Sequence, residues 1–105
     1  MYNEKALKEL KSLLIKKYPE YIDKLILFGS RAENKEREYS DYDILLILKK
    51  DYNWKLKENI REIVYDIILK YDIITETKFI SKKELNSIKG CSPFIQDALL
   101  KGIII

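Results

Sequence analysis

The stretch "LILFGSRAENKEREYSDYDILLIL", Leu25 to Leu48, decides the fold. Two apolar runs, Leu25–Phe28 and Ile44–Leu48, flank a polar segment. Each run is too short for a helix and nearly free of polar residues, which predicts two short strands with both faces covered. The second run is entered through Ser40-Asp41-Tyr42-Asp43, and the first ends on Gly29-Ser30. Asp41 and Asp43 stand at i and i+2, so an extended backbone points both carboxylates to one face. Two carboxylates side by side repel unless a cation lies between them. Gly29 allows close approach to the backbone, Ser30 adds a hydroxyl donor, and Arg31, Lys35 and Arg37 supply positive charge nearby.

The rest of the chain supplies helices on either side of these strands. In "NEKALKELKSLLIKKYP", Ala6, Leu7, Leu10, Leu13 and Leu14 recur at helical spacing, with Asn3 as N-cap and Pro19 as terminator. "WKLKENIREIVYDIILKY" predicts a second helix with Leu56, Ile60, Ile63, Val64, Ile67 and Ile68 as its buried stripe. "DIITETKFI" predicts a third strand. "SKKELNSIKG" reads as a short helix with a Ser81–Glu84 capping box and Gly90 at its end. "SPFIQDALLKG" reads as another, with Ser92 as N-cap, Pro93 at the first helical position and Gly102 as stop, and "III" closes the chain as a short edge strand. The order α-β-β-α-β-α-α-β, with a helix between strands two and three, predicts a parallel crossover and an α/β (α+β) fold: a small mixed sheet flanked by helices.

Bulk properties narrow the chemistry. A chain of 105 residues, 47% hydrophobic, builds one domain over residues 1–105. The net charge of +3 and the lack of a basic tract do not argue for nucleic acid as a partner. A single cysteine, Cys91, excludes an internal disulfide and reads as a packing residue; with no signal peptide and no membrane-length apolar run, a cytoplasmic setting is expected. The sequence has no histidine, which excludes Ser-His-Asp and Cys-His nucleophile pairs and His-ligated zinc. Acid–base or metal chemistry must then run on Asp, Glu, Lys, Tyr or the substrate, with Mg²⁺ or Mn²⁺ as the natural metal for hard oxygen ligands.

The pattern G-S-x10-D-x-D between two apolar strands resembles the minimal nucleotidyltransferases of the DNA polymerase beta superfamily. It is most similar to the antitoxin partners of HEPN-domain ribonuclease toxins. The first helix, "ILFGSRA", "SDYDILLI", the following helix and "SPFIQDALLKGIII" all fall where that family has them. The resemblance implies the polymerase-beta-like nucleotidyltransferase fold. It implies two Mg²⁺ ions held by Asp41 and Asp43, ATP as substrate, Gly29, Ser30 and Arg31 against its phosphates, and AMP transfer to a tyrosine of the toxin. The superfamily's third carboxylate is expected near position 74, which here is Ile74. Asp72 and Glu76 flank it, and Glu76, within the strand, is the preferred third catalytic and metal-binding acid. Two rivals stand beside this reading: a catalytically weak binding module that inhibits its partner by covering it, and a small-molecule nucleotidyltransferase.

Overall fold

The computed structural model describes residues 3–29 and 41–105. It contains α1 (Glu4–Lys17), β1 (Ile22–Phe28), β2 (Tyr42–Leu48), α2 (Trp54–Tyr71), β3 (Thr75–Ser81), α3 (Lys82–Leu85), a 3₁₀ turn (Ile88–Cys91), α4 (Pro93–Lys101) and β4 (Ile103–Ile104). The four strands form one mixed sheet in the order β3-β2-β1-β4. β1 is antiparallel to both β2 and β4, and β2 is parallel to β3, as the intervening helix predicts. Among the described residues, no helix is long and apolar enough to cross a membrane.

Strand alternation divides the sheet between two cores. Tyr42, Ile44, Leu46 and Leu48 of β2 share one face with Leu25, Leu27 and Phe79, and pack on Ala6, Leu7, Leu10 and Leu14 of α1 and Leu56, Ile60, Val64 and Ile67 of α2. The opposite face carries Ile26, Leu45, Ile47 and Ile80, which pack on Ile95 and Ala98 of α4 with Leu85 alongside. Both faces of the central strands are therefore covered, which is why their sequences are apolar rather than alternating. Asp43 is on the α4 side, at the end of the sheet where β1 stops and β2 and β3 begin.

Local chemistry explains the element ends. Asn3 Oδ1 accepts from Ala6 N–H at 3.0 Å, and Asn53 Oδ1 from Leu56 N–H at 2.9 Å, so both long helices start on a side-chain cap. Ser81 and Glu84 form the expected capping box, at 3.1 and 3.0 Å.

Several expectations are corrected. Leu13 is 40% exposed, because α1 buries a stripe narrower than its apolar residues. The end of α1 at Lys17, with Tyr18 as C-cap, agrees with Pro19 as its terminator. β3 starts only at Thr75, because Asp72 takes a left-handed conformation (φ 52°) as the C-cap of α2. The segment expected as one helix ending at Gly90 is two pieces, α3 and the 3₁₀ turn, with Gly90 inside the second. Ser92 occupies the N-cap position of α4, but its hydroxyl makes no capping hydrogen bond. Cys91 is exposed rather than packed.

Candidate active site

Gly29 follows directly on β1 with φ +76°, a left-handed conformation that glycine adopts without strain. A Cβ at this position would drive into Asp43 Oδ2 and stand 3.2 Å from Asp43 Cγ. Two requirements thus coincide at Gly29: the backbone must turn, and the Asp43 carboxylate needs the space. The register explains the proximity, since Phe28 pairs with Asp43 across the β1–β2 ladder.

On its other side Asp43 pairs with Glu76 across the parallel β2–β3 ladder. Residues paired this way project from the same face. Glu76 is therefore the acid that the register brings beside Asp43, whereas Asp72 is committed to the α2 cap and lies outside the strand. Asp41 precedes β2 and is exposed. The entrance to the two strands is held by the Tyr42 N–H, which donates to the Ile74 carbonyl at 2.7 Å. Tyr42 points to the opposite face from the acids. It is buried, and its hydroxyl accepts from the Asn3 N–H at 2.8 Å, so its ring is a packing group.

The electrostatics follow from this arrangement. The Asp43 carboxyl is held above its ordinary pKa, first by partial burial and then by the negative charges of Glu76 and Asp41, with Lys78 opposing. Glu76 is more than half exposed, and its Oε1 lies 3.1 Å from Lys78 Nζ. That ammonium sits 5.5 Å from the Phe94 ring centroid, at the start of α4. Among the described residues, no three carboxylates converge into a ready-made metal cage. The donors that do approach one another are all hard carboxylate oxygens, with Lys78 as the cation beside them, and hard oxygens suit Mg²⁺ or Mn²⁺ and not a soft metal. Ser30, Arg31, Lys35 and Arg37 lie outside the described residues. Phe94 had no signal in the sequence, because only the tertiary packing of α4 brings it to this end of the sheet.

Residues 5–95 match the nucleotidyltransferase domain family. The chain belongs to that family. It is 34% identical over 90 residues to a Methanocaldococcus jannaschii protein named "Putative protein adenylyltransferase MJ0604", covering 82% of this chain and 85% of the relative. A second protein of that organism, "Putative protein adenylyltransferase MJ0141", is 37% identical over 68 residues, covering 65% of this chain and 69% of the relative. Among solved structures, a toxin–antitoxin with AMP-PNP superposes with a TM-score of 0.62 at 18% identity, over 98% of this chain and 72% of the other. A mutant of the toxin–antitoxin MntA-HpeT, with two aspartates replaced by glutamate, gives a TM-score of 0.60 at 17% identity, over 98% and 72%. At these identities the two structures confirm the fold, a nucleotidyltransferase sheet flanked by helices.

Proposed function

We propose that this nucleotidyltransferase moves AMP from ATP to a tyrosine hydroxyl of a HEPN-domain ribonuclease toxin and so acts as its antitoxin. The observation that carries the reading is the register that sets Glu76 beside Asp43, with Asp41 two residues before it and Gly29 opposite. The curated relatives' names, with their reference to protein adenylylation, support a protein acceptor. The AMP-PNP of one toxin–antitoxin neighbour supports an adenine nucleotide, and both neighbours support a toxin partner.

Asp41, Asp43 and Glu76 are the residues that would hold Mg²⁺, which when bound neutralises triphosphate charge and favours ionisation of the attacking hydroxyl. The β2–β3 register supports this reading by setting the backbones of Asp43 and Glu76 side by side. The turn at Gly29 exposes backbone that a phosphate can approach, with Ser30 and Arg31 next in sequence. In the reaction the acceptor oxygen bonds the α-phosphorus and the bond to the β-phosphate breaks. Pyrophosphate leaves, and the acceptor's proton passes to a carboxylate or to water.

A second reading, inhibition by binding alone, is favoured by one observation: Glu76 is engaged with Lys78, and among the described residues no three carboxylates converge. Intact-mass spectrometry of the HEPN-domain partner, after incubation with this chain, ATP and Mg²⁺, separates the two. Transfer is expected to add one or more AMP units, to fail with EDTA, and to fall at least about 100-fold in Asp43→Asn, Glu76→Gln and Gly29→Ala. Stoichiometric inhibition without any mass change would establish the binding module instead.

A further inference from the structure

Lys78 follows Glu76 by two residues on β3 and projects from the same face. Its ammonium touches Glu76 Oε1 at 3.1 Å, and its charge also acts on Asp43. The Phe94 ring lies 5.5 Å from the same ammonium. An ion pair this exposed is weak and readily exchanged. It nevertheless gives Glu76 a cation in the metal-free chain, while the Glu76 charge still acts on its register partner Asp43. A divalent ion offers Glu76 twice the charge of an ammonium, and the Phe94 face gives the displaced ammonium a favourable place to rest.

We propose that Lys78 is a stand-in cation. In the metal-free chain it engages the third carboxylate, and Glu76 joins Asp41 and Asp43 only when a divalent ion outcompetes that ammonium. Lys78 is thus a positioning residue: it sets the threshold for assembling the site without touching the reacting atoms. This rests on the reading of Asp41, Asp43 and Glu76 as metal donors. It goes beyond that reading by assigning a regulating role to a residue outside the set.

The test is Mn²⁺ binding to the full chain without nucleotide, followed by the electron paramagnetic resonance signal of free Mn²⁺. Lys78→Met, which keeps the aliphatic stem, is expected to tighten Mn²⁺ binding about three- to tenfold. Lys78→Arg, which keeps the charge, is expected to stay within about twofold of the parent. In a Glu76→Gln background most of the gain from Lys78→Met should vanish, because no carboxylate is left to release. Unchanged or weaker binding in Lys78→Met would overturn the proposal, as would a gain that survives undiminished in the Glu76→Gln background, which would mark a general field effect. If in addition Asp43→Asn abolishes Mn²⁺ binding, the metal-donor reading stands while the stand-in role falls. No Mn²⁺ binding by any variant would overturn both.

Discussion

At Asp43, partial burial and two neighbouring acids all favour the protonated carboxyl. Its pKa is therefore higher in the folded chain than in the unfolded one, and the fold binds more protons across that interval. Stability contributed through this group is present at low pH and is lost as pH rises from the ordinary Asp range through the raised value. In EDTA, Asp43→Asn is accordingly expected to melt about 1–4 °C higher than the parent at pH 7 and to show no such gain at pH 4. Thermal melts at both pH values check this, and the comparison isolates Asp43 from Glu9, whose lowered pKa acts with opposite sign. A lower melting temperature for Asp43→Asn at pH 7 would mean that the carboxylate is favourably paired. At this scale the sequence was informative where spacing alone sets geometry, as for Gly29, Asp41 and Asp43. It was uninformative where a single backbone angle decides. Asp72 satisfied strand parity on paper, but its left-handed cap removes it from the strand. The exposure of Cys91 likewise depends on a 3₁₀ turn that no periodicity announces.

Among the elements, α2 was legible to its end residues because 18 residues of helical periodicity outweigh local accidents. β1 runs three residues further back than its apolar core, since Ile22 finds a partner in Leu48 while the polar Asp23 and Lys24 ride along. The junction of β3 and α3 shows how one residue serves two elements. Ser81 ends the strand, is fully buried, and caps the helix. Replacing it with alanine removes the hydroxyl that accepts from Glu84 N–H, and Ser81→Ala is expected to cost about 1 kcal/mol in urea denaturation. Glu84→Gln, which can still accept from the Ser81 N–H, should cost less than about 0.5 kcal/mol. No loss in Ser81→Ala would show that the box contributes nothing to stability.

For the molecule as a whole, the sheet joins two apolar layers that cannot form independently, because Leu45 and Leu46 are consecutive residues serving opposite cores. Leu46→Ala is expected to cost about 2–5 kcal/mol, a large share of the roughly 5–15 kcal/mol that holds a domain together. Leu100→Ala, at a position 81% exposed, should stay within about 0.5 kcal/mol, and urea midpoints for the two variants measure the contrast. The connectivity also has a consequence for where charge can come from. α1 begins at Glu4 behind its cap Asn3, which is tied to Tyr42, and α2 finishes at Tyr71, just before β3, so a helix start and a helix finish share the acid-bearing end of the sheet. Their macrodipoles carry about half a positive and half a negative charge there and largely cancel. The start of α2, the usual cradle for a phosphate behind a strand, faces the other end, after β2. Backbone dipoles of the two long helices therefore add little at this end, and the potential there is left to the start of α4, which carries Phe94, and to ionisable side chains that a single substitution can retune.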